Sequence, residues 1–112
     1  MMIFEPGEHK IGEYRVRLAR FEHGEWQPHG PWLATMVTDL RLVMMAEDRD
    51  QSPMTILPRS IARVWHACIG KRDGGIIMLK TGHLFYFYVD WSQGARLVND
   101  LEYMMGEVAV GV

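Results

Sequence analysis

The sequence predicts a mainly β domain finished by one C-terminal helix. Three observations carry that expectation. Short segments with apolar residues at every second position follow one another from Tyr14 to Val89. The links between them are short and rich in turn formers, as in Thr38-Asp39-Leu40-Arg41 and Asp73-Gly74-Gly75. After Asp90 the apolar spacing changes to three and four residues.

Strand one begins at Glu13, with Tyr14, Val16 and Leu18 on one face and Arg15 and Arg17 on the other. Residues 22–31 (EHGEWQPHGP) combine two Gly with two Pro and read as a loop. Strand two is expected over 32–38 and strand three over 41–46. The link between them is too short for a crossover helix, so the pair must be antiparallel, with Asp39 accepting from backbone amides ahead of it. Residues 47–53 form a charged connection, and 54–57 a short strand ended by Pro58. Over Ile61–Ile69, Ala62, Val64 and Cys68 alternate with Ile61, Trp65 and Ile69, which leaves the core face open. A turn at 71–75 precedes a strand over 76–80, then Thr81-Gly82 turns into a strand over 83–89. That makes seven strands, the order of an all-β sandwich or barrel. In the tail, Asp90 or Ser92 can cap a helix. Its stripe is Ala95, Leu97, Val98, Leu101, Met104 and Met105, with Arg96, Asn99, Asp100 and Glu102 opposite, and Gly106 stops it.

A chain of 112 residues is one domain's worth. With 48% apolar and 23% charged residues, it has the composition of a folded globular protein. The single cysteine, Cys68, cannot form an internal bridge and reads as a buried, reduced thiol, which suggests the cytoplasm. No apolar run approaches the roughly 18–20 residues of a membrane helix, and MMIFEPGEHK lacks the features of an export leader. A formal charge of -2, with Lys and Arg scattered among acids, argues against a nucleic-acid binder.

Two stretches carry a resemblance to a known family. Residues 32–43 (WLATMVTDLRLV) are similar to the G-x-L-x-x-T-D-x-R-L-V pattern, and 56–64 (ILPRSIARV) to I-P-L-x-x-I-x-x-V, with Leu57-Pro58 in reversed order. Together with the element order, they make residues 12–105 resemble the pleckstrin-homology-like superfamily, in its GRAM-type or bacterial form. The resemblance implies a seven-stranded antiparallel barrel of two orthogonal sheets capped by one C-terminal helix. It also implies a binding module for lipids, peptides or proteins rather than an enzyme. Where lipid-binding relatives gather basic residues around the first hairpin loop, this chain has Glu22, His23, Glu25 and His29. A phosphoinositide headgroup needs several cationic donors at one point, which argues against that site here.

Four residue groups are candidates for function. His23, Glu25 and His29 share one loop and are of metal-ligating type, though the spacing fits no compact motif. His66 and Cys68 lie two apart on one strand and could pair base with nucleophile, against the plainer reading of a buried structural pair. Arg59, Arg63, Lys71 and Arg72 flank that strand and would make an anion patch if they converged, or otherwise a solvated rim. In the last strand Phe85, Phe87 and Val89 satisfy the core, so Leu84, Tyr86 and Tyr88 want cover on the other face. A protein partner or second copy supplies it, or the N-terminal segment with Ile3 and Phe4 folds over it. The resulting expectation is a single-domain, non-catalytic, cytoplasmic binding module. It acts through protein contact or self-association, with weak contact to an anionic lipid surface as a secondary role. No cofactor, resident metal, nucleic acid or transmembrane segment is expected. The alternative is a small-ligand or metal-dependent activity using the His23, Glu25 and His29 loop or the His66 and Cys68 pair.

Overall fold

A computed structural model of the chain describes residues 4–47 and 52–106. Eight strands precede one helix: β1 (Lys10–Glu22), β2 (Glu25–Pro28), β3 (Leu33–Thr38), β4 (Leu42–Ala46), β5 (Met54–Ile56), β6 (Ile61–Ile69), β7 (Arg72–Leu79), β8 (Leu84–Val89) and α1 (Gly94–Met104). The mainly β class with a C-terminal helix is as the sequence predicts. The strand number differs, because residues 22–31 are not wholly loop. His23 and Gly24 both adopt left-handed backbone, with φ of 54° and 79°, which is the geometry of a two-residue hairpin turn. The chain therefore doubles back at once, and β2 pairs with the end of β1 from Ala19↔Pro28 to Glu22↔Glu25.

All eight strands join in one antiparallel sheet of order β5-β4-β3-β1-β8-β7-β6, with β2 beside β1. Hydrogen bonding thus shows one continuous sheet where the resemblance implies two orthogonal ones. The long β1 holds it together. Its first half pairs with β3 up to Val16↔Leu33, and its second half with β8 from Val16↔Val89 to Ala19↔Tyr86. The main core lies on one face and joins Val16, Val37, Leu42, Ile56, Ile61, Val64, Ile77 and Phe87 to Leu97, Val98 and Leu101 of α1. Residues of both end strands, Ile56 of β5 and Ile61 of β6, belong to that one cluster.

The turn into β7 sits earlier than 71–75. The chain reverses at Gly70, whose φ is 65°, and Arg72 is already paired with Ile69. Gly74 and Gly75 instead make room for β8: a Cβ on Gly74 would lie 2.1 Å from the Phe87 carbonyl oxygen. In β6 a bulge between Ile61 and Arg63 breaks the alternation, so that Ile61 and Val64, three residues apart, both reach the main core. Ala62, His66 and Cys68 are exposed. Cys68 is accordingly a surface thiol and not a buried one.

The link between β3 and β4 works differently from the expected Asp39 turn. Thr38 is wholly buried, and its Oγ1 accepts from the amides of Leu40 at 3.1 Å and Arg41 at 3.0 Å. The same hydroxyl donates to Glu8 Oε2 at 2.6 Å. Asp39 faces the N-terminal segment, accepting from the His9 amide at 2.8 Å. Glu8 also receives Arg41 Nε at 2.9 Å, Arg41 Nη2 at 2.9 Å and the Glu5 amide at 2.8 Å. The Thr-Asp-Leu-Arg stretch therefore clamps the segment leading into β1 around one buried carboxylate.

At the other end, α1 buries Leu97, Val98, Leu101 and Met104, while Ala95 is exposed. Neither Asp90 nor Ser92 caps it; both lie in the 3-10 turn Asp90–Ser92. The first helical amide, on Gly94, donates instead to Asp73 Oδ2 of β7 at 2.6 Å. Gly106 follows the helix with φ of 83°, as a stop residue should. Tyr14 of β1 donates its hydroxyl to Asp100 of α1, and burial, then the carboxylate, push the phenol well above its usual range. Among the described residues, no helix is long and apolar enough to cross a membrane.

Candidate functional sites on the outer face

The face of the sheet turned away from the main core is not uniformly polar. At the join of β1, β2, β6, β7 and β8 it carries a second apolar cluster of Ala19, Ile69 and Tyr88, flanked by Trp26, Ala67, Ile76 and Tyr86. Trp26 is the organising residue. Its ring lies 4.9 Å from that of Tyr86 and 5.3 Å edge-on from that of Phe21. The aromatic strand that needed cover therefore receives much of it from the unforeseen β2. Tyr88 is only 2% exposed. Tyr86 is half-buried, and Leu84 remains 38% exposed. Phe4 does not supply the cover, being 45% exposed, and Ile3 lies outside the described residues.

Beyond Ala19↔Tyr86 the ladder between β1 and β8 ends, while β1 runs on to Glu22. The two strands part and leave a hollow of about 660 Å³ whose walls include Phe21, Trp26, Leu84 and Tyr86, with Arg20, His29 and His83 also lining it. Phe21 at its mouth is 55% exposed. Large apolar side chains at an open notch beside parted strands are the makings of a docking surface.

The expected anion patch does not assemble in the form the sequence suggested. Arg59 sits in the 3-10 turn Pro58–Ser60 before β6, and Arg63 stacks 5.1 Å from the Trp65 ring near the start of that strand. Lys71 and Arg72 belong to the far end, where Ile69 pairs with Arg72. Arg72 instead joins Arg15 and Arg17 of β1. The guanidinium carbons of Arg72, Arg15 and Arg17 lie 5.8, 4.4 and 5.9 Å from the centre of the Trp32 ring, and Arg72 also stands 4.6 Å from that of Tyr88. Arg15 is held by Glu47 at 2.9 Å and Asp90 at 3.1 Å, which raise its already high pKa. Arg15 and Arg17 share a face in any reading of β1. That Arg72 joins them follows from β8 and β7 lying side by side next to β1, which no local pattern announces.

His66 and Cys68 are both exposed, so they are not a buried pair. His66 Nε2 is bonded to Asp73 Oδ1 at 2.6 Å, and the other oxygen of that carboxylate holds the start of α1. Asp73 therefore ties β6, β7 and the helix together, a structural role sufficient to explain it. His23 stands at the hairpin turn and Glu25 accepts from Gln27 Nε2 at 3.2 Å. Among the described residues, no three His, Cys, Asp or Glu side chains gather as a metal site.

No family model matches the chain, and no curated protein matches it. Among solved structures it is similar to the C-terminal domain of an unknown protein from Leishmania infantum. The TM-score is 0.65, covering 89% of this chain and 86% of that one at 9% identity. A likeness at such low identity is one of fold alone.

Proposed function

We propose that this chain is a non-catalytic, cytoplasmic binding module of pleckstrin-homology-like fold that works by contact with protein, a second copy of itself included. In this reading the continuous sheet bends across β1 into two layers, β5-β4-β3-β1 and β1-β8-β7-β6, with α1 over the opening between them. The shared core of the two end strands and the packing of α1 against β6, β7, β1 and β3 support that bend. The eight strands also reduce to the family's seven if β2 and β3 are one strand interrupted at residues 29–32, since both pair with β1 in the same sense.

One observation carries the function: the notch between the parted ends of β1 and β8, with Phe21 55% and Leu84 38% exposed beside Trp26 and Tyr86. Aromatic and aliphatic groups around a hollow gain most by burial against another apolar surface. Sedimentation velocity over a concentration series tests the self-association form, and immobilised protein offered to a peptide library tests the wider one. The expected result is binding that the Phe21→Ser, Leu84→Ser double substitution abolishes while the melting temperature stays close to that of the parent. A strictly monomeric chain that selects no peptide, or binding that survives the double substitution, would overturn this reading.

A further inference from the structure

We propose that the outer face of β1 and β7 carries a second, separate site, one that binds a single phosphate monoester group between Arg17 and Arg72 above Trp32. Charge is the first ground for it. Three guanidinium groups stand within 6 Å of one indole ring, an arrangement that cation–π attraction favours but mutual repulsion opposes. Among the described residues, only one of them meets a carboxylate. Arg15 meets both oxygens of Glu47, at 3.0 and 2.9 Å, and Asp90 at 3.1 Å. Arg17 spends Nε on the Gly30 carbonyl at 2.8 Å, and its terminal amino groups have no carboxylate among the described residues. Arg72 rests between the Trp32 and Tyr88 rings and likewise has no carboxylate among the described residues. Among the described residues two positive charges are thus left for a ligand, and a phosphate dianion balances both.

Geometry narrows the class further. Guanidinium forks laid on aromatic rings keep their N–H donors in fixed directions, so little entropy is lost when they grip the paired oxygens of a phosphate. On the Arg17 side of Trp32 is a hollow of about 300 Å³ lined by Arg15, Arg17, Pro31, Trp32 and Glu47; Arg72 does not line it and would reach a bound phosphate from across the Trp32 ring. Glu47 and Asp90, both held by Arg15, add negative charge next to the site and disfavour a ligand with many phosphates such as a nucleic-acid strand. The group is thus compact and doubly charged, whether on a soluble monoester or on a lipid such as phosphatidic acid. Its arginines stand on the strands β1 and β7 and Trp32 just before β3, away from the His23-Gly24 hairpin turn.

The test is a titration of the 15N-labelled full chain with inorganic phosphate and phenyl phosphate, following the Trp32 indole and the arginine Nε–H signals. Benzoate serves as the singly charged control. The expected result is saturable shifts of those signals with phosphate and much weaker ones with benzoate. Affinity should fall about tenfold or more in Arg17→Ala and Arg72→Ala, and stay unchanged in Arg59→Ala. Arg72→Lys, which keeps charge and stem, should bind nearly as poorly as Arg72→Ala, and it carries the test if the alanine variant melts early. Vesicles with and without phosphatidic acid separate the sources. Tighter binding to the former than to phenyl phosphate assigns the site to a headgroup, and equal or weaker binding assigns it to a soluble monoester. No shift at millimolar phosphate, full affinity in Arg72→Lys, or an equal loss in Arg59→Ala would each overturn the proposal.

Discussion

Replacing Thr38 by Val keeps the shape of a side chain that is wholly buried and removes one hydroxyl. That hydroxyl donates to Glu8 at 2.6 Å and accepts from the amides of Leu40 and Arg41 at 3.1 and 3.0 Å. A hydrogen bond to a charged group contributes about 1.5–3 kcal/mol and one to a backbone amide about 1 kcal/mol. Leu40 is 42% exposed, so water can replace part of the amide loss. The expected cost is therefore about 2–4 kcal/mol, read as a lower midpoint in urea at neutral pH and a melting temperature reduced by roughly 10–20 °C. Thr35 supplies the control. It is as buried in kind, at 4% exposure, but its hydroxyl makes one bond, to the Leu33 carbonyl at 3.2 Å. Thr35→Val should cost about 1 kcal/mol or less. Coupling between Thr38→Val and Glu8→Ala should exceed about 1 kcal/mol in a double-mutant cycle, because both remove the same hydrogen bond. If Thr38→Val costs no more than Thr35→Val, the clamp is not what holds the β3–β4 link.

Three further outcomes are expected. Arg41 and then Thr38 hold the Glu8 carboxyl down from 4.5 to about 2. A carboxyl whose folded pKa is depressed contributes stability above its unfolded value and loses it as the pH falls through the folded one. After allowance for solvent screening, about 1–2 kcal/mol should be lost between pH 4.5 and 2, with the loss largely absent in Glu8→Gln when unfolding is followed by urea titration at each pH. Gly94→Ala would place a Cβ 2.6 Å from the Gly74 carbonyl oxygen and 2.7 Å from Asp73 Oδ2. It should lower the melting temperature by roughly 8 °C or more, equivalent to about 2 kcal/mol, despite alanine's better helix propensity. Tyr14→Phe removes the bond from β1 to Asp100 of α1 and should cost about 1–2 kcal/mol, with faster amide exchange concentrated in the helix.

The period-two pattern found the larger strands because each has neighbours that bury one face, and burial is what the pattern records. It named Ile61–Ile69 to the residue. It missed β2 because a four-residue strand is shorter than the window in which alternation shows, and the Gly and Pro around it suggested a loop. His23-Gly24 was the available signal, a two-residue pair able to take left-handed backbone at a hairpin turn. The bulge in β6 is what brings both Ile61 and Val64, three residues apart, to the main core, and no residue in Ile61-Ala62-Arg63 marks it.

What the sequence alone determined was local: a mainly β chain, the antiparallel β3–β4 pair forced by a short link, the apolar stripe of the helix and its stop at Gly106. Each follows from the conformational limits of a few adjacent residues. Tertiary structure alone decided that Arg72 joins Arg15 and Arg17 rather than Arg59 and Arg63, that Trp26 covers Tyr86, and that Asp73 holds the helix. Those arrangements depend on which strands become neighbours in the sheet. Strand neighbours are selected by the free energy of the whole packed core, to which residues far apart in the chain contribute together.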